Sequence, residues 1–593
     1  MGADAARTPA PHALLLPYPA QGHVIPFMEL ADRLLDRGFA VTFVNTEFNH
    51  RRVVVAAGGG RAPDGRLRLV GVADGMGDGE DRDNFVRLNA CMKEAMPLRL
   101  DALLDADDER LGRVTCVVVD VGMSWALDAV KRRGLPAAAL WPASAAVLAV
   151  LFGAKKLIRD GVIDDDGAPV KQENHSFRLA ESMPPMDAVF LAWNYMGNRD
   201  VERMVFHYLT TTAWAAVAKA DVVLCNTFED LEPDIFGAHS PAAASILPIG
   251  PLRTCQRRTS EAPAGHFWRA DDEACASFLD AQPRGSVTYV AFGSLTVMSP
   301  AQLQELALAL LASARPFLWV FRPGLAAELP PAFTDLLPRH ARGKVVEWAP
   351  QEKVLAHPAV GCFLTHCGWN STLEGVRHGV PLLCWPYFTD QFTNQAYICD
   401  IWKVGLRVVP DGGDGIVAKE RIMERLTSLM GDSGVKERVK RLKELAERSM
   451  GPEGKSLKNI NAFMESMTKR SPVLAPRHLV VGHWITASCN LQPGGRGPLD
   501  QRHIRGEESS EDPNDADGEA VTAEQRLLGS PAPGPGCWHL NSSMRSKKIF
   551  GLSISLVLIN LASILERADE NLLPAVYKEV FLLFTMTALQ CLR

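Results

Sequence analysis

Two residues early in the chain have the types that proton transfer requires. His23 follows the short apolar run HALLLPYP (12–19) and opens an amphipathic stretch, which sets its imidazole where a strand gives way to a helix. With an unperturbed pKa of about 6.5, a histidine there is neutral near physiological pH and can take a proton from a hydroxyl. Asp120 ends the run TCVVVD (115–120) and would stand at the carboxyl edge of the same sheet. Its carboxylate could orient His23 and stabilise the imidazolium that forms. It could equally cap the segment GMSWALDAV that follows.

A denser set lies at 348–391, 44 residues that begin at Trp348 and end at Gln391. GCFLTH (361–366) reads as a buried strand, and CGWNSTLEGVRHG (367–379) as a turn and a helix with Asn370 or Ser371 as N-cap. A strand, a glycine turn and a helix N-terminus present free backbone N–H groups and the positive end of the helix dipole to an anion. His366 and the Ser371 hydroxyl add donors at the same spot, which suits a diphosphate. Trp348 offers a flat face on which a nucleobase could stack. Glu374 can accept from two adjacent hydroxyls, as a ribose requires. Asp390 and Gln391 could accept from and donate to sugar hydroxyls. Gly293-Ser294, after another strand, would bring further N–H donors opposite the first set.

These residues need elements to hold them. HALLL, an amphipathic HVIPFMELADRLLDRG with Phe27, Leu30, Ala31 and Leu34 at helical spacing and Gly38 as its stop, then FAVTFVNT, make a βαβ unit. Such a unit implies a parallel sheet covered on both faces. Further strands are expected at 116–119, 137–140 and 222–226. After Gly250-Pro251 the chain turns polar, RTCQRRTSEAPAGHFWRADD, and a second α/β series follows through SVTYVAF, FLWVF, KVVEW, GCFLTH and VPLLCW. Two such series joined by one linker predict an α/β protein of two Rossmann-like domains facing across a cleft, with ligands at the carboxyl ends of the strands.

The stretch 348–391 resembles the C-terminal signature box of plant family-1 UDP-glycosyltransferases. FGS at 292–294, FLWVFR at 317–322 and NTFEDLEP at 226–233 agree with it, and the resemblance covers about 12–468. It implies the GT-B fold, with an acceptor-binding domain at 12–252, a linker at 253–273 and a UDP-sugar-binding domain at 274–468, whose last helix (about 455–467) returns toward the first. By the same resemblance Trp348 stacks on uracil and Gln351 contacts the nucleoside. His366, Asn370 and Ser371 hold the phosphates, Glu374 the ribose, and Trp369, Asp390 and Gln391 the sugar. Ser294, Ala349 and Gly368 complete the set, and His23 is the general base beside Asp120. A terminal Gln, as at Gln391, is similar to glucosyltransferases, whereas galactose-specific members tend to carry His. The implied reaction is an inverting transfer of glucose from UDP-glucose, as co-substrate, to a hydroxyl of a small lipophilic acceptor such as a flavonoid, phenolic or terpenoid. The product would be a β-glucoside. Trp141, Ser144 and 190–208 would line the acceptor side. Neither a cofactor nor a metal is expected.

The whole chain fits this. A net charge of −6 gives no basic surface for nucleic acid. Twelve cysteines without framework spacing read as reduced thiols, and no signal-length apolar run precedes the first strand, so a cytoplasmic monomer is expected. The last 125 residues differ: 469–543 is rich in Pro, Gly, Ser and acidic residues, a composition of disorder. The hydrophobic tail 544–593, with a 17-residue apolar run at 549–565, resembles the start of a plant major-facilitator transporter and reads as a gene-model fusion; a membrane enters only if that tail is real. Three other readings stay open: a transferase for another UDP-sugar or for C-glycosides, a nucleotide-binding protein without turnover, and a membrane transport protein.

Overall fold

The computed structural model describes residues 10–57, 65–170, 176–181, 183–236, 246–252, 265–322, 333, 342–410 and 415–468. Most of the linker expected at 253–273, and all of 469–543 and 544–593, lie outside the described residues.

The N-terminal half is built on β1 (His12–Leu16), β2 (Ala40–Thr46), β3 (Leu67–Val72), β4 (Cys116–Asp120), β5 (Ala137–Trp141), β6 (Val222–Cys225) and β7 (Ile246–Pro248). Their spatial order is β7-β6-β5-β4-β1-β2-β3, and every pairing is parallel. β1, β4 and β5 are buried at every position. A strand covered on both faces has no polar side, which is why these read as unbroken apolar runs rather than alternations. Helices α1 (Gln21–Asp36), α2 (Glu47–Ala56), α3 (Phe85–Asp105), α4 (Ala145–Phe152) and α5 (Arg199–Lys219) belong to this half. Gly38, at φ 86°, ends α1: its amide reaches the Leu35 carbonyl at 3.0 Å and that of Phe39 the Leu34 carbonyl at 3.1 Å. That closure needs a left-handed residue, which glycine supplies without steric cost.

The C-terminal half repeats the plan with β8 (Val287–Ala291), β9 (Phe317–Val320), β10 (Gly343–Val346), β11 (Val360–Thr365), β12 (Leu382–Cys384) and β13 (Gly405–Arg407). Their order is β10-β9-β8-β11-β12-β13, again all parallel. In each sheet the strand order reverses once, between β1 and β4 and between β8 and β11. Crevices open at the carboxyl ends of strands at such reversals. His23 and Asp120 follow β1 and end β4; Gly293 and His366 follow β8 and β11.

Helices α6 (Trp369–His378) and α7 (Gln391–Ala396) face the cleft, and α8 (Lys455–Thr468) crosses back to the first half. Its buried Ile460, Phe463, Met464 and Met467 share one core with Ala13, Leu15 and Phe27. Across the cleft, the Trp369 indole donates to the Asn226 carbonyl at 2.8 Å, and that of Trp402 to the Leu231 carbonyl at 2.9 Å.

Candidate active site

β1 and β4 are neighbours in register, with Leu16 opposite Val119, so the segments leaving them emerge side by side. His23 lies in the first turn of α1, and its Nδ1 meets Asp120 Oδ2 at 2.7 Å. Asp120 is fully buried, while the His23 side chain stays 32 % accessible along the cleft wall. The other Asp120 oxygen accepts from the Gly122 amide at 2.8 Å, so the carboxylate both caps the following turn and orients the imidazole. The two readings of Asp120 were not alternatives. Burial alone would lower the His23 pKa, but the Asp120 charge and hydrogen bond, helped by the Asp390 charge, leave it raised above 6.5. Nδ1 is thereby committed, and Nε2 is the nitrogen left for a substrate.

Aromatic rings stand around this dyad. Tyr18 lies 5.3 Å from the His23 ring and 6.4 Å from Phe85, which meets Tyr208 edge-on at 4.9 Å. The Tyr208 hydroxyl donates to the Gly122 carbonyl at 2.5 Å, and Asn89 donates to the Tyr18 hydroxyl at 3.1 Å. Phe190 stacks at 4.5 Å on Phe392 of the opposite half. Trp141 and Ser144, expected on the acceptor wall, are instead buried in the core. The Trp141 indole donates to the Ser144 carbonyl at 2.8 Å, and Ser144 caps α4. The start of α4 is occupied by Glu232, whose carboxylate accepts from the Ala145 and Ala146 amides at 3.0 and 2.8 Å and from the Thr227 hydroxyl at 2.6 Å. Fully buried, Glu232 is pushed up to about 7 by desolvation against those bonds. NTFEDLEP carried this residue in plain sight, but only the fold shows which helix it caps.

On the other wall the strand-turn-helix expected at 361–379 is present, with a corrected start. α6 begins at Trp369 behind Gly368, and no side chain caps it. The two side chains expected to cap it are used elsewhere. Asn370 donates to the Gly22 carbonyl across the cleft at 2.7 Å, and the Ser371 hydroxyl accepts from Gln351 at 3.0 Å. Among the described residues, the first N–H groups of α6 therefore receive no capping side chain. His366 packs between two glycines: a Cβ added at Gly293 or Gly368 would come 2.6 or 2.5 Å from its Nε2. Burial holds the His366 pKa down at about 4, against a smaller opposing effect of the Ala291 backbone, so its ring is neutral.

Gln351 ties the rest together. It accepts from the Tyr289 hydroxyl at 3.0 Å and donates to Glu374 at 2.5 Å. Burial, then the nearby Glu352 charge, push Glu374 up to about 8. Asp390 accepts from Asn394 at 2.8 Å and Thr389 at 3.1 Å, and burial raises its pKa. The Gln391 carbonyl oxygen is taken by the Tyr387 and Phe388 amides at 2.8 and 3.3 Å, which leaves its NH₂ as a donor. Trp369 is buried with its indole N–H engaged on the Asn226 carbonyl, and Ala349, next to Trp348 in the chain, is buried as well. The Ser294 carbonyl accepts from Arg322. Trp348 is buried against Trp268, ring centroids 4.6 Å apart, a partner that sequence reasoning did not single out. Among the described residues no cluster of His, Cys, Asp and Glu could hold a metal ion.

Comparison with known proteins places this geometry. Residues 269–453 match the family model described as UDP-glucoronosyl and UDP-glucosyl transferase. UDP-glycosyltransferase 83A1 of Arabidopsis thaliana is 36% identical over 462 residues, which cover 77% of this chain and 96% of that protein. The (R)-mandelonitrile beta-glucosyltransferase of Prunus dulcis is 36% identical over 475 residues, covering 75% and 95%. Among solved structures, a UDP-glucosyltransferase from Polygonum tinctorium capable of glucosylating indoxyl, in complex with 3,4-dichloroaniline, superposes with a TM-score of 0.65 at 28% identity. That match covers 78% of this chain and all of that one. The two facing Rossmann-like sheets are thus the GT-B fold, and the chain belongs to the plant family-1 UDP-glycosyltransferases, enzymes that move a glycosyl group from a UDP-sugar onto small molecules.

Proposed function

We propose that the enzyme transfers glucose from UDP-glucose to a hydroxyl of a small lipophilic acceptor with inversion, giving a β-glucoside. The observation that carries this reading is the His23–Asp120 contact of 2.7 Å at the cleft, with Asn370 of α6 bonded to the backbone of Gly22 beside it. The base and the anion-binding helix start are thereby held against one another. In the proposed reaction the acceptor oxygen attacks the anomeric carbon as its proton passes to His23 Nε2. The carbon–oxygen bond to UDP breaks, and the electron pair leaves with the diphosphate. Asp120 stabilises the imidazolium. The growing charge on UDP meets fixed donors, the α6 N–H groups and neutral His366, which need no reorganisation.

In this reading Trp348 carries the uracil, Gln351 and Glu374 the nucleoside, and Asp390 with the Gln391 amide the sugar hydroxyls. Trp369 lies beside them at the sugar, Ser294, Gly368, Asn370 and Ser371 lie along the diphosphate, and Ala349 supports the loop that carries Trp348. Because Asp390 already influences the His23 proton, the sugar-recognising carboxylate and the base are electrostatic neighbours. The rings of Tyr18, Phe85 and Tyr208 support an apolar, planar acceptor. So does the likeness to proteins named for mandelonitrile and indoxyl. A soluble cytoplasmic monomer needing neither cofactor nor metal completes the proposal.

The test is an acceptor screen with UDP-glucose in the presence of a chelator, read by mass gain of one hexose and by the anomeric configuration of the product. His23→Ala should bind UDP as the wild type does while turnover falls by about 10²–10⁴. Wild-type turnover in that variant, or an α-linked product, would overturn the mechanism.

A further inference from the structure

Trp348 is buried, yet its indole Nε1 finds no hydrogen-bond partner among the described residues. Nothing polar fixes the tilt of the ring, so packing alone must do so. What packs on it is Trp268, 4.6 Å away between centroids and tilted by 31°, while the Asp271 amide donates to the Trp348 carbonyl at 3.1 Å. Trp268 is backed in turn by the first half of the molecule: the Arg52 guanidinium of α2 lies 4.4 Å from its ring and 4.6 Å from that of Phe267. Arg52 also lies 5.4 Å from the Phe48 ring, and Arg82 covers Phe48 at 4.5 Å. Arg82 is anchored by Asp74 through Nε at 2.8 Å and Nη2 at 3.2 Å. The Phe267 amide donates to Gln21, two residues before His23, at 3.2 Å. The result is one continuous stack, Trp348–Trp268–Arg52–Phe48–Arg82–Asp74, running from the C-terminal wall of the cleft into the N-terminal half.

We propose that Trp268 and Arg52 are positioning residues for the donor: they hold the Trp348 ring at a fixed tilt, so that the nucleobase stacks on a preorganised face. This rests on Trp348 being the base-stacking residue. A ring held in place before binding loses little freedom when the base arrives, so the stack adds affinity without touching the nucleotide. Because Arg52 belongs to the opposite half, the base is held only when the two halves are together. Aromatic pairs and desolvated cation–π contacts are each strong enough to matter on this scale.

The experiment is calorimetric titration of the full chain with UDP, together with melting of the ligand-free protein. Trp348→Ala serves as the control. Trp268→Leu and Arg52→Ala should each weaken UDP binding by about three- to tenfold. Trp268→Phe, which keeps a ring, should restore most of the loss, whereas a lost structural support would not be rescued by a smaller side chain. Unchanged UDP affinity in both Trp268→Leu and Arg52→Ala, with Trp348→Ala weakened, overturns this inference and leaves the donor site standing. Equal weakening in Trp268→Leu and Trp268→Phe, tracking a drop in ligand-free melting temperature, also overturns it. Unchanged affinity in Trp348→Ala would overturn the base-stacking assignment and this inference with it.

Discussion

The protonation of His23, the base in the proposed mechanism, is governed by burial and by two carboxylate neighbours. Burial disfavours the imidazolium, while Asp120 and, more weakly, Asp390 favour it, and the balance lies above 6.5. A base works only when deprotonated, so kcat/KM should rise with pH through a midpoint above 6.5 and level off on the alkaline side. Asp120→Asn keeps the shape but removes the charge that raises the pKa. Its midpoint should therefore move down, while activity drops by about 10²–10⁴ because an amide cannot stabilise the imidazolium. A pH–rate profile of both proteins checks this; an unmoved midpoint in Asp120→Asn would show that another group titrates. Both positions were legible in the sequence because Asp120 ends one apolar run and His23 opens the helix that follows another, where strands deliver their ends to a crevice. Tyr208 ended the stretch 190–208 that family resemblance placed on the acceptor side, but neither its bond to Gly122 nor Asn89's bond to Tyr18 was legible. Tyr208 and Asn89 lie on helices whose docking depends on contacts 70 to 90 residues away in sequence, with hydrogen-bond separations of 71 and 86.

At the scale of elements, the donor wall is a strand, a turn and a helix made to fit around one imidazole. Gly293 leaves β8 and Gly368 caps α6, and a side chain at either would run into His366 Nε2. Gly368 has an ordinary φ of −58°, so replacing it tests space alone rather than backbone freedom. Gly368→Ala should displace His366 and weaken UDP binding by about tenfold, the scale of modest overpacking at 1–3 kcal/mol. In a His366→Ala background the same substitution should cost almost nothing further, because the atom it strikes is gone. Calorimetry of the double-mutant cycle reads the coupling; strictly additive losses would mean that Gly368 serves some other purpose. The strand and the helix of this unit were evident from their apolar patterns. Its cap was misplaced because Asn370 and Ser371 have capping side chains, and local sequence does not reveal that Gly22 and Gln351 claim them. Ser144 shows the converse: family resemblance placed it on the acceptor side, and in the structure it is buried as the cap of α4.

The described residues form two similar sheets tied to one another by crossing links. α8 is the chain's last described element, and although it follows the C-terminal sheet in sequence it fills the core of the N-terminal one. Asn459 donates to the Pro248 carbonyl at 2.8 Å, and Arg37 to Asn461 at 2.5 Å, so polar contacts fix the helix on the same side. The two-sheet plan could be read from alternating apolar runs and helical spacing, and the return of α8 only from family resemblance. Amphipathicity says that a helix has a core-facing side, not which core it faces. Phe463, 1% exposed, is the centre of that contact. Phe463→Ala should destabilise the protein by about 3–5 kcal/mol, the usual cost of emptying a buried aromatic site. The damage should fall on the half distant in sequence: hydrogen exchange should quicken in α1 and β1, while β8 and β11 stay protected. Lys458→Ala, on the exposed side of α8, provides the neutral control at an expected change within about 0.5 kcal/mol. Chemical denaturation measures the cost and exchange locates it. If protection were lost in 287–407 and kept in 12–46, α8 would belong to the C-terminal core, and the strap that holds the cleft would have to be sought elsewhere.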